Sequence, residues 1–226
     1  MSVEVDVVRV FTDERGECGN LLGVIEATDA SAGREQELAA TLGYSETVIV
    51  EDRWDGVATI RIMTPTTELP FAGHPSVGTA WWLGRDDLPE ITTLAERAGD
   101  VAVRYDGNLT WITGRAEWAP DFRWLPLATP ADVDALDPVS FDGPPSYAYA
   151  WIDQDAGELR SRMFAPELGI AEDEATGSAA VAVTTRLGRD LSILQGRGSR
   201  IHTRQLADGY VEVGGRTVFV ETLTLD

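Results

Sequence analysis

Polar and apolar positions alternate along VDVVRVF, LLGVIEA, TVIVED and ATIRIM, the pattern of half-buried strands. Between the second and third of these lies GREQELAATLG, whose spacing predicts a short amphipathic helix closed by Gly43. PSVGTAWWL is apolar nearly all round and predicts a second, buried helix, with Pro75 in its first turn, where a missing N–H costs nothing. ITTLAE, VAVRY and LTWIT continue as strands, with the turn Asp106-Gly107-Asn108 between the last two. A second series follows: YAYAWID, ELRSRMF, the helix TGSAAVAVTTRL, then IHTRQ, YVEVG and RTVFVETLTL. Many strands around one apolar helix in each half predict an α+β protein. Two similar lobes are expected, each a curled, mostly antiparallel sheet around a central helix.

The two series are copies. Ser45 and Ser146, Asp52 and Asp153, Gly56 and Gly157, Arg61 and Arg162, and Pro65 and Pro166 are all separated by 101 positions. After a slip of three, Gly73 matches Gly177 and Gly84 matches Gly188; the Asp106-Gly107 turn matches Asp208-Gly209 at a separation of 102. An ordered series of this length reads as an internal duplication. It divides the chain into an N-terminal lobe, residues 1–114, and a C-terminal lobe, residues 115–226. The last strand is free to pair back onto the first lobe. Six of the 11 prolines fall between Pro120 and Pro145, so that stretch is expected to hold no long element and to wrap the surface.

The formal charge of −20 argues against nucleic acid or an anionic membrane surface as partner. Cys18 is the single cysteine, which rules out an internal disulfide and a cysteine-rich metal site. His74 and His202 do not form a ligand-spaced pair, so no metal is expected. MSVEVDVVRVF has no basic start followed by an apolar run, and no stretch reaches the ~18 apolar residues of a membrane helix. A cytoplasmic setting is expected.

The chemistry points to the two helix starts. A helix N-terminus has unpaired N–H groups and about half a positive charge, a ready site for a carboxylate. Gly73-His74 and Gly177-Ser178 hold equivalent positions in the two halves, so pseudo-twofold symmetry would aim both into the cleft between lobes. A small anionic metabolite is the ligand this favours. The halves differ where Glu46 stands against Tyr147, and Asp173 lies in the loop before the second copy of the helix. A partly buried carboxyl there would work as acid or base near neutral pH. On the residues alone, a solvated strand-end Glu46 and a structural His74 remain the competing readings.

Taken together, DVVRVFTDERGECGN, YSETVIVED, TPTTELPFAGHPSVG and MFAPELGIAEDEATGSAA resemble the PhzF family of phenazine biosynthesis, within the diaminopimelate epimerase fold. The resemblance spans nearly the whole chain in the family's order. It implies an isomerase without cofactor that moves a proton on a small carboxylate-bearing metabolite. It makes Glu46 the single general acid/base, with His74 and Asp173 holding or tautomerising the substrate. Asn20, Gly73, Gly177 and Ser178 would bind it, and a homodimer would be the assembly. Leu21 stands where the family has proline after Gly-Asn, and Ala72 where it often has cysteine; these departures bear on substrate identity. One cysteine excludes the two-thiol mechanism of racemases that share the fold. A serine hydrolase built on Ser178, His74 and Asp173 lacks the G-x-S-x-G elbow. The remaining alternative is a binding protein without catalysis on the same scaffold.

Overall fold

The computed structural model describes residues 2–85 and 90–226. Its elements run β1 (Val3–Thr12), β2 (Asn20–Glu26), α1 (Glu35–Leu42), β3 (Glu46–Trp54), β4 (Val57–Met63), β5 (Glu68–Leu69), α2 (Gly73–Leu83), β6 (Thr93–Glu96), β7 (Gly99–Asp106), β8 (Leu109–Arg115), β9 (Arg123–Pro126), α3 (Pro130–Asp134), β10 (Ser146–Asp153), β11 (Glu158–Ala165), β12 (Ile170–Asp173), α4 (Gly177–Leu187), β13 (Leu191–Gln195), β14 (Ser199–Gln205) and β15 (Tyr210–Leu225).

The strand pairings confirm the α+β class and show the duplication. Parallel β2–β3 is matched by parallel β9–β10, and parallel β4–β6 by parallel β11–β13. The short strands β5 and β12 pair with β4 and β11 in turn. The other pairings are antiparallel. Strands β1-β2-β3-β4-β6-β7-β8-β15 form a circuit that closes because β15 pairs with both β8 and β1. The 16-residue β15 does this in two halves, Tyr210–Gly215 against β8 and Arg216–Leu225 against β1. The second run, β15-β14-β13-β11-β10-β9, ends on β9.

Both apolar helices lie inside. α2 packs on β1, β2, β3, β8 and β15, and α4 on β8, β14 and β15. In α2, Val77 and Ala80 are fully buried and Leu83 is nearly so. Burying Val77 and Leu83 contributes about 1.5–3 kcal/mol each. One continuous core joins residues of both lobes, from Val8 and Leu22 to Val183 and Ile193. A smaller one lies under α1, where Leu38 and Ala39 meet Val5, Ile25 and Ile49. α1 ends, as its sequence predicts, on Gly43 in the left-handed region at φ +67°.

Three features differ from the sequence reading. α2 starts at Gly73, not Pro75, so His74 belongs to the helix itself. The proline-rich stretch does hold only short elements, but β9 joins the sheet edge beside β10 and does not merely wrap the surface. α3 is fixed by a capping box, in which Thr129 and Asp132 bond each other's backbone N–H. Strand β13 was not anticipated. No helix among the described residues is long and apolar enough to cross a membrane.

Candidate functional site

The start of α2 and the start of α4 meet head to head. A Cβ built on Gly73 would stand 2.7 Å from Gly177 Cα and 3.0 Å from Ser178 N. One built on Gly177 would stand 2.8 Å from Gly73 Cα and 3.0 Å from His74 N. Real Cβ atoms do not approach backbone that closely, so only glycine allows this contact. The first N–H groups of each helix have no partner within their own helix. Two positive helix ends therefore face each other, an arrangement that favours a negative group beside them.

Two acidic side chains are there. Glu46 opens β3, and its Oε2 lies 3.5 Å from Nε2 of His74, the second residue of α2. Both atoms are shielded from solvent and neither has a hydrogen-bond partner. His74 is 4% exposed. Burial pushes the Glu46 carboxyl above the usual carboxylate range; the Asp173 charge adds to the rise, while His74 and a bond from Ser45 oppose it. The equivalent position in the other lobe is Tyr147, whose hydroxyl donates to Ser161 Oγ at 2.9 Å inside the core. The duplication has thus kept a carboxyl on one side only.

Asp173 ends β12 and is fully engaged. Asn20 Nδ2 donates to its Oδ1 at 2.6 Å and to the Ala175 carbonyl at 3.0 Å, while Thr176 Oγ1 donates to Oδ2 at 2.6 Å. Asn20 opens β2, so this bond ties the first lobe to the loop before α4. With both oxygens held this way and Glu46 beside the imidazole, no Asp–His–Ser relay forms. Ser178 sits half-buried at the second position of α4, equivalent to His74. Structure therefore gathers Glu46, His74, Gly73, Gly177 and Ser178 at the paired tips, with Asp173 and Asn20 beside them.

Sequence reasoning missed the braces. Gln195 is fully buried at the end of β13, where Nε2 donates to the Asp173 carbonyl at 3.0 Å and to Thr176 Oγ1 at 2.8 Å. Glu174 accepts from Arg197 N at 2.9 Å and from Ser199 Oγ at 2.8 Å, and Ser199 Oγ in turn accepts from Gly19 N at 2.8 Å. The Gly-rich QGRGSR segment thus holds the loops that carry Asp173 and Asn20. Its position next to an unrecognised strand was the available signal.

The site is closed. A hollow of about 590 Å³ over His202, Arg200 and Arg216, and another of about 410 Å³ between Trp81 and Tyr105, include none of these residues. Among the described residues, no three His, Cys, Asp or Glu side chains are gathered as metal ligands.

The arrangement offers one elevated carboxyl, one imidazole and a set of N–H donors with no partner in their own helices, which suits proton transfer on a bound carboxylate. Known proteins share the chain's architecture. It is 28% identical to trans-2,3-dihydro-3-hydroxyanthranilate isomerase of Pseudomonas aeruginosa, covering 92% of this chain and 94% of that one. It is 31% identical to the isomerase of the same name from Pseudomonas chlororaphis, over 76% and 77% of the two chains. A solved PhzC/PhzF phenazine biosynthesis protein from Clostridium difficile strain 630 superposes with a TM-score of 0.79 at 21% identity, covering 99% of each chain. The sequence profile of the phenazine biosynthesis-like proteins matches residues 8–135 and 145–210, most of the chain, which therefore belongs to the PhzC/PhzF family.

Proposed function

We propose that this protein is an isomerase that moves a proton between two carbons of a small, carboxylate-bearing metabolite, with Glu46 as the single acid/base and no cofactor. The observation that carries the reading is the Glu46–His74 pair: two buried, unpartnered polar atoms 3.5 Å apart beside two touching helix starts. An unpartnered buried polar atom costs about 1–3 kcal/mol, a cost that a bound substrate would relieve. Relatives named as isomerases of trans-2,3-dihydro-3-hydroxyanthranilate support the class and supply the first substrate to try.

In this scheme the substrate carboxylate takes N–H donors from Gly73, Gly177 and Ser178. The ionised Glu46 removes a proton from carbon as the C–H electron pair moves into the neighbouring π system. It then returns that proton to a second carbon on the same face. His74 holds a polar substituent and shifts its proton as charge develops. Asp173 and Asn20 hold the wall opposite. The tightness of the tips requires the lobes to part for entry and close again, which excludes water during transfer.

The test is to incubate trans-2,3-dihydro-3-hydroxyanthranilate and a panel of cyclic and amino carboxylates with the protein in D₂O. Deuterium gain at carbon that disappears in Glu46→Gln supports the proposal. Binding that persists in Glu46→Gln, with no deuterium entering any ligand, would identify a binding protein instead.

A further inference from the structure

The proposed mechanism leaves one buried carboxyl unused. Glu96 ends β6, and its Oε2 is shielded from solvent and without a partner. Its Oε1 lies 2.6 Å from Ser76 Oγ, which lies 2.8 Å from the Ala72 carbonyl oxygen. Both O···O separations require a hydrogen between the atoms. Ser76 has one hydroxyl hydrogen to give. If it serves Ala72, the other contact needs a proton on Glu96 itself. If it serves Glu96, no hydrogen lies between the Ser76 and Ala72 oxygens, with Ala72 accepting only from Ser76 N at 3.2 Å, and an ionised carboxylate is left with a buried oxygen unsatisfied. The first assignment places a hydrogen in both short contacts and leaves Oε2 without a partner as a neutral carbonyl oxygen, not a charged one.

The duplication gives an independent reason. Ala58 and Leu159 are equivalent, and they pair with Leu94 and Ile193. Two residues further along each strand stand Glu96 and Gln195. Gln195 uses its amide N–H to brace Thr176, the residue before α4, and its own oxygen is also unpartnered. Glu96 braces Ala72, the residue before α2, through Ser76. A protonated glutamic acid is the nearest isostere of glutamine.

We propose that Glu96 is a positioning residue: as a neutral acid it donates to Ser76 and, through Ser76 and Ala72, fixes the tip of α2 that carries Gly73 and His74. This inference rests on the reading of that tip as the substrate site. Burial agrees, pushing the Glu96 carboxyl up to about 8, with the Ser76 bond opposing. Neighbouring charges do not set this. Arg97, next in the chain, lies 3.9 Å from Glu68, while Gly99 is opposite on β7 and Asp100 beside it is exposed. Ionisation of Glu96 turns the Ser76 hydroxyl away from Ala72 and places a negative charge beside the N–H groups that receive the substrate carboxylate.

The experiment pairs infrared spectroscopy with kinetics, comparing wild type with Glu96→Gln across about pH 6 to 10. The wild type is expected to show the carbonyl band of a protonated acid at neutral pH. That band fades as pH rises through about 8 and is missing from Glu96→Gln. The KM for trans-2,3-dihydro-3-hydroxyanthranilate is expected to rise at least about fivefold over the same range in wild type and to stay flat in Glu96→Gln, with kcat moving less. Glu96→Ala raises KM at every pH. An infrared difference without the acid band, or a KM rise that survives in Glu96→Gln, overturns the inference. If no carboxylate of the panel exchanges protons, the functional reading fails, and the infrared arm still decides the state of Glu96.

Discussion

Gly73 and Gly177 touch backbone to backbone, and each is where a methyl group would strike the other's main chain. Neither has a left-handed φ, so alanine suits the local conformation and only the contact forbids it. Gly73→Ala and Gly177→Ala are therefore expected to push the two tips apart, at about 1–3 kcal/mol of overpacking strain each. Thermal melting should fall, and exchange should fall further than stability because the N–H donors move with the tips. Melting unchanged within error for both variants would mean that the tips are looser than described.

Glu46→Gln separates function from stability. Exchange should drop about 10²–10⁴-fold, the usual contribution of a positioned base. Stability should move the other way, because glutamine removes a carboxyl that the site holds in an unfavourable environment. A gain of about 1 kcal/mol, or ~2–4 °C in melting temperature at neutral pH, is expected. A variant both inactive and less stable would assign Glu46 a structural role.

The sign of the pH dependence follows from the same carboxyl. Its value is raised by burial first, so the folded state holds the proton more tightly than the unfolded chain does. The stability this contributes is full below the ordinary glutamate value and declines as pH rises through the raised one. The proposed mechanism uses the ionised form, so kcat/KM should climb through that range while stability declines. In Glu46→Gln, the decline in stability should be shallower. Parallel slopes for wild type and variant would place the titrating group elsewhere.

Much of this was legible in the sequence because a duplication repeats its signals. The matched order of Gly73 and Gly177 after equivalent strands, kept across a slip of three residues, pointed to both helix tips. Glu46 against Tyr147 marked the asymmetry. The start of α2 was read two residues late because glycine is a poor helix former and Pro75 marks a first turn, whereas the close approach to α4 decides the matter. Thr176, Gln195 and Glu96 were not legible. Their roles depend on which strand end lies behind which loop, and β13 is too short, with too few alternations, to announce itself. β9 was hidden for a similar reason: four residues ending in proline show no periodicity, and only pairing with β10 makes them a strand.

The bond between Asn20 and Asp173 offers the sharpest structural test because it crosses from β2 to the loop before α4. Asn20→Ala removes a donor from Asp173 and from the Ala175 carbonyl; Asp173→Ala removes the acceptor from Asn20 and Thr176. Each variant should lose about 1–3 kcal/mol, since each strands a partly buried polar group. The double variant should lose less than the sum, with a coupling of at least about 0.5 kcal/mol, because the shared bond is removed only once. Thr176→Val should couple to Asp173→Ala in the same way, and less to Asn20→Ala, which reaches it only through the carboxylate. Denaturant melts of the set measure all of these. Losses that add within about 0.3 kcal/mol would show that Asn20 and Asp173 act independently. The opposite wall of the candidate site would then be held by Gln195 and Thr176 alone.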